Sequence, residues 1–379
     1  VPYWRLSGFY LFYFASLGAL VPYWSLYLKH LEFSARDIGT LMALVMATKI
    51  VSPNVWGWIA DHTGHSMRIV RLGCLLGALS FAGVFVGHDY WWLVVVMLVF
   101  SFFWNAALPQ FEATTFNHLG EHSHRYSGIR LWGSIGFIVA VAALGPVLDS
   151  QGAGILPWVL MALFVGLWLS SLSVPERAAG HLHLEHSPLR KVLLRPEVAA
   201  LLLVCFLLQA SHGPYYTFYT IYLEGHGYSR SVIGQLWALG VIAEVGVFLI
   251  MHRWVPRFGL RRLLIASLAL TALRWVLIGQ FPQLAAVLIG AQLLHAASFG
   301  IYHAVAIQLI HRYFTGRHQG RGQALYSSLS FGAGGAAGSY VSGIGWDSLG
   351  AGSVYLIAAA TAALATLVAW LWIRPSQTI

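Results

Sequence analysis

The chain has 379 residues, of which 58% are hydrophobic and 9% charged, whereas a soluble domain carries about 25% charged residues. That composition excludes a soluble enzyme or signalling domain of ordinary size and makes lipid the solvent. The formal net charge of +9 raises the question of a nucleic-acid partner, which its distribution answers below.

Apolar stretches of about 20 residues, the length that crosses a hydrocarbon core, recur from end to end. Six spans are expected at 6–28, 38–60, 68–86, 91–116, 126–148 and 156–174, and six more at 198–223, 232–255, 263–278, 284–314, 322–344 and 354–373. The first lacks a small-residue cleavage site and reads as a retained span. Cys74 and Cys205 both fall in apolar segments, which speaks against a structural disulfide. The domain plan is an N-terminal six-helix bundle over 1–175, a polar cytoplasmic linker over 176–197 and a C-terminal six-helix bundle over 198–379.

Basic residues near span ends stay on the cytoplasmic side. With the N-terminus inside, the inner segments hold 16 of the 22 Lys and Arg residues, and the outer loops hold Lys29, Arg36 and Arg230. Membrane topology therefore accounts for the positive charge without a nucleic-acid partner, and both termini are expected in the cytoplasm.

Between the second and third spans the chain reads Gly57-Trp-Ile-Ala-Asp61-His62-Thr63-Gly64-His65-Ser66-Met67-Arg68. Gly57 is expected to let helices approach, Gly64 to permit a tight turn, and Asp61 to meet a basic group or a helix N-terminus. This segment resembles the loop signature of the major facilitator superfamily, with His62 where a basic residue is usual. A degenerate copy, Pro256-Arg257-Phe258-Gly259-Leu260-Arg261-Arg262, follows about half a chain later. The resemblance implies an all-α membrane protein of twelve transmembrane helices in two pseudo-symmetric six-helix bundles, with a substrate cavity near mid-membrane. Gly57, Asp61, Gly64 and Arg68 would form its conformational-switch loop.

Ionisable residues inside spans are costly unless paired or wet, and they mark function. Glu112, Arg130, Glu244, Arg274 and Lys49 fall inside. A proton carrier needs a carboxylate or imidazole, which makes Glu244 and His295 the candidates. Three internal bases against two acids leave one surplus positive charge, which suits a monoanionic substrate.

Arg130-Leu-Trp132-Gly133-Ser-Ile-Gly136, the run from Leu208 to Tyr216, the run from Leu236 to Glu244 and the run from His295 to Ala304 are similar to the phenylpropionate permease family. That family is related to lactose-type proton symporters. The resemblance implies that Glu112 and Arg130 hold substrate; apart from it, the aromatic residues Trp132, Tyr215 and Tyr216, with Lys49 and His212, are expected to line the substrate site. The resemblance places proton coupling on Glu244, Arg274 and His295, with His303 on the same span. A carboxylate expected one turn after His295 is Ser298 here.

The expected activity is proton-driven import of a small organic solute, an aromatic monocarboxylate such as phenylpropionate. Sugar or nucleoside symport is the alternative, and efflux antiport or membrane sensing is less favoured. The expected setting is a monomer in the bacterial inner membrane, with substrate, protons and the lipid bilayer as partners. No cofactor is expected: the chain has no Walker motif and no nucleophile-base signature of an enzyme. The Gly-rich run 332–338 lacks the Lys-Ser/Thr of a phosphate loop and reads as helix packing. His181, His183 and His186 have metal-like spacing without a supporting ligand set, so no metal is expected.

Overall fold

A computed structural model describes residues 1–177, 190–315 and 318–373, the side chain of Ser123 apart. Part of the expected linker and the histidines at 181, 183 and 186 lie outside the described residues. Those described are helical, with no strand among them. Backbone polar groups in lipid must be satisfied within the segment, and a helix does this.

The long helices are α1 (Tyr3–His30), α2 (Ala35–Thr63), α3 (Ser66–Phe81), α4 (Tyr90–Leu119), α5 (Tyr126–Gln151), α6 (Leu156–Ser173), α7 (Pro196–Gly225), α8 (Arg230–Phe258), α9 (Leu260–Gln280), α10 (Ala285–Tyr313), α11 (319–349) and α12 (Ala351–Trp372). Among the described residues, eleven helices are long and apolar enough to cross a membrane. The segment not among these is α11, where glycine and serine replace large apolar side chains.

Local chemistry sets the helix ends. Ser34 caps α2, its hydroxyl accepting from the Asp37 N–H at 3.2 Å and donating to the Asp37 carboxylate at 2.7 Å. Asp89 caps α4 by accepting from the N–H groups of Trp91 and Trp92. Gly64 ends α2 at φ +69°, and Gly259 ends α8 at φ +78°. Glycine takes this left-handed conformation without steric cost.

Three helices depart from the unbroken spans read in the sequence. α7 is interrupted at His212, between Pro196–Ser211 and Gly213–Gly225. Pro214 has no N–H to give the Ala210 carbonyl. α10 and α11 each contain a π-helical turn, at Ala296–Ile301 and Ser328–Gly334. Such turns shift every later side chain around the helix and cluster at functional sites.

The described residues fall into two compact units, the first from 1–183 with 228–238, the second from 184–227 with 239–379. In the first unit, α1 packs along α5 and α6, and α4 packs on α2 and α3. Its polar anchor is Asp149, whose carboxylate accepts from the N–H groups of Arg230 and Ser231 at 2.9 Å each and from the Ser231 hydroxyl. In the second unit, α12 packs on α9 and α7 around a core that includes Leu201, Cys205, Leu264, Tyr302, Val305 and Ile310. Both cysteines are free and buried.

An arginine closes the last helix of each unit. Arg71 in α3 donates to the carbonyls of Val174 at 2.6 Å and Ser171 at 3.5 Å, at the end of α6. Arg261 in α9 donates to Ile373 at 2.6 Å and Trp370 at 2.7 Å, at the end of α12. Terminal carbonyls lack helical donors, and a cation also suits the negative end of the helix dipole.

Candidate substrate and coupling sites

In the first unit, α4 and α5 bring Glu112 and Arg130 into electrostatic reach. Glu112 accepts a hydrogen bond from the Tyr126 hydroxyl at 3.2 Å. Arg130 lies over the Phe14 ring at 3.8 Å and near the Tyr10 ring at 5.7 Å, a cation–π arrangement. Its guanidinium makes no hydrogen bond with a described residue, so its donors are uncommitted. Gly133 gives it room, since a Cβ there would sit 2.6 Å from Arg130 Nη1.

Lys49 is half-buried in α2 and makes no hydrogen bond or ion pair with a described residue. Near it, Asn105 donates to Thr48 at 2.9 Å, and Thr48 bonds Ser101 at 3.0 Å. Trp132 lies apart from the Glu112 cluster: its indole N–H donates to Tyr3 at 3.1 Å and its ring packs on Trp4 at 5.6 Å.

The second unit holds a denser polar assembly. Arg274 in α9 is fully buried. It donates to the Ala291 carbonyl at 3.0 Å, His295 Nδ1 at 3.1 Å, the Ser298 hydroxyl at 2.8 Å and Gln292 Oε1 at 2.9 Å. Its guanidinium also lies 4.2 Å from the Tyr215 ring centroid. The four hydrogen-bond acceptors are neutral.

This arrangement fixes the tautomer of His295. Arginine only donates, so Nδ1 must be the lone-pair nitrogen and the ring proton sits on Nε2. Nε2 lies 3.3 Å from the Glu244 carboxylate, with the two side chains 7% and 16% exposed. Protonating Nδ1 would set N–H against N–H. The Arg274 hydrogen bond to Nδ1 therefore favours the neutral ring at His295, with Nε2–H facing the Glu244 carboxylate. Ser298 fills the place of the expected carboxylate by accepting from Arg274.

The remaining candidates adjoin this assembly. Tyr215 donates to Gln292 Oε1 at 3.2 Å. His212 is buried, donates from Nδ1 to the Leu208 carbonyl at 2.8 Å and stacks on Tyr216. Its Nε2 and the Gln292 Nε2 have no hydrogen-bond partner among the described residues. His303 lies further along α10, with Nδ1 2.9 Å from the Tyr326 hydroxyl. Sequence reasoning missed Gln292 and Tyr126 because it sought charges. An isolated glutamine in an apolar span was the signal for the first.

In the switch loop, Gly64 makes the expected turn, but the close approach expected at Gly57 is elsewhere. A Cβ on Gly57 would meet Gln110 Nε2 at 3.5 Å, an ordinary contact, whereas one on Gly73 would lie 2.9 Å from the Phe103 carbonyl oxygen. Gly57→Ala is accordingly expected to leave thermal stability within about 0.5 kcal/mol of wild type, read as Tm of the detergent-solubilised protein. Asp61 is exposed and Arg68 is exposed, and Asp61 makes no hydrogen bond or ion pair with a described residue.

A family model described as the MFS_1 like family matches residues 3–357. The chain belongs to this family. It is a multi-pass membrane transporter of the major facilitator fold and not an enzyme. Within the MFS_1-like family and its relatives, the chain is 28% identical over 367 residues to a probable 3-phenylpropionic acid transporter of Escherichia coli (strain K12), covering 94% of each chain. It is 27% identical to a maltose permease of Geobacillus stearothermophilus, covering 92% of this chain and 89% of the relative. The crystal structure of the nucleoside transporter NupG superposes with a TM-score of 0.83 at 16% identity, over 98% of this chain and 99% of that one, which is a likeness of fold.

Proposed function

We propose that this MFS_1-like transporter imports a small organic monoanion, an aromatic monocarboxylate of the 3-phenylpropionate kind, together with a proton. The observation that carries this reading is the contrast between the two intramembrane arginines. Arg274 spends its hydrogen bonds on neutral protein groups, whereas Arg130 is stacked on Phe14 with its donors uncommitted. A guanidinium offers a carboxylate a bidentate fork. Arg130, with Glu112 and Tyr126 beside it, is assigned to substrate; Glu244, set by His295 and Arg274, is assigned to the proton. The relative named for 3-phenylpropionic acid supports the substrate class.

The same reading takes 176–197 as the linker between six-helix halves. It places a monomer in the inner membrane with both termini in the cytoplasm, driven by the proton gradient without a cofactor. Lys49, His212, Tyr215 and Tyr216 are assigned to the lining of the substrate path.

Purified protein in liposomes with an imposed pH gradient tests this. Accumulation of labelled 3-phenylpropionate that collapses when the gradient is dissipated supports it. Gradient-driven uptake of maltose or a nucleoside instead retains proton coupling and discards the substrate. Arg130→Lys is expected to weaken 3-phenylpropionate binding about tenfold, roughly 1.4 kcal/mol, because an ammonium cannot reproduce the fork. Wild-type affinity in a thermal-shift titration would show that Arg130 is structural.

A further inference from the structure

Beyond His295, α10 carries a second imidazole in the same stack. The rings of His295, Phe299 and His303 lie in series, with centroids 5.7 Å and 5.6 Å apart and interplanar angles of 9° and 13°. Eight residues of unbroken α-helix rotate a side chain about 80° out of line. The π-turn Ala296–Ile301 falls between the two histidines, and the extra residue that such a turn accommodates brings them back to one side.

Glu244 runs alongside this column. Its carboxylate is at His295, but its stem passes Gly300, where a Cβ would lie 3.4 Å from Glu244 Cγ and 3.6 Å from Val247. Gly300 is five residues past His295 and three before His303, so the Glu244 stem meets α10 between the two imidazoles. Among the described residues, the titratable and charged groups facing the column include His212, Tyr215 and Tyr216 from α7, Glu244 from α8, Arg274 from α9, Tyr302 from α10 itself and Tyr326 from α11. Phe331 covers Phe299, His303 and Tyr326 with centroids within 6.1 Å.

We propose that Glu244 is a swinging proton carrier, which takes up its proton beside His295 and turns past Gly300 to deliver it to His303. The proposal rests on the reading of Glu244 as the proton-binding group. At the first station the neutral carboxyl accepts from His295 Nε2–H. At the second its O–H donates to His303 Nε2, the lone-pair nitrogen when Nδ1–H is given to the Tyr326 oxygen. The Glu244 O–H bond breaks and the His303 Nε2–H bond forms, leaving carboxylate and imidazolium. The imidazolium releases a proton to water toward the C-terminal end of α10, and the carboxylate returns to His295. A phenol donates or accepts by rotating, so Tyr326 holds His303 in both protonation states.

The two stations differ in whether the carboxyl accepts or donates, so infrared difference spectroscopy of the full-length protein across a pH step distinguishes them. The expected result is two carboxyl C=O bands, both absent in Glu244→Gln. His303→Gln removes one and His295→Gln the other, and the band that survives in each variant shows that its site is folded. A Glu244 band that is single and unchanged by His303→Gln overturns the swing. Bands in the wild type that all persist in Glu244→Gln overturn the carrier reading itself.

Discussion

On the proposed function, replacing Glu244 with glutamine is expected to abolish proton-driven accumulation and to leave substrate exchange within about threefold of wild type. The amide is nearly isosteric, and its carbonyl can still accept from His295 Nε2–H, which lies 3.3 Å from the carboxylate. Packing and hydrogen bonding are thus retained while the one proton that the pair can gain is lost. Driven accumulation needs that proton and exchange does not. Liposomes preloaded with unlabelled 3-phenylpropionate measure exchange, and an imposed pH gradient measures accumulation. Coupled accumulation at the wild-type level removes Glu244 from the proton path. Loss of both activities instead indicates a structural role.

Gly338→Ala is expected to lower stability by about 3 kcal/mol or more, at the upper end of overpacking costs. A Cβ at this position would lie 2.1 Å from the Ala210 carbonyl oxygen, and one at Gly213 would lie 2.1 Å from the Gly338 carbonyl carbon. Both obstacles are backbone, so no side chain can rotate away. α7 and α11 must separate, where Pro214 has already removed one helical hydrogen bond. Thermal unfolding in detergent reads the loss as a lower Tm. A Tm unchanged from wild type would mean that the two backbones part without cost.

The spans, the turn glycine and the small-residue packing in α11 were legible in the sequence. Each follows from a rule that acts within about one helix: twenty apolar residues to cross lipid, Gly64 at a tight turn, and small residues where helices pack. The charged members of the site were legible for a related reason, since Glu112, Arg130, Glu244 and Arg274 stand out against apolar neighbours. Their proposed division between substrate and proton came from the family resemblance, and the physical ground for it was not legible. It depends on which donors are already spent, and the acceptors that occupy Arg274 are Gln292, Ser298, His295 and a backbone carbonyl, all neutral and spread over two turns of α10. The two π-turns were equally hidden, because they change the angular register without changing the apolar pattern. Gly57 misled by motif: its neighbour is the end of a flexible glutamine, while the tight contact is at Gly73.

The paired arginines at the ends of α6 and α12 bear on how each unit comes apart. A helix at the edge of a bundle ordinarily frays from its free end, where carbonyls exchange partners with water. Here that end is knotted to a neighbour, Arg71 joining α6 to α3 and Arg261 joining α12 to α9. Peeling either helix from its C-terminus first requires a cation to give up two carbonyls. The C-terminal end of each of these helices is thereby fastened where a helix is usually loosest.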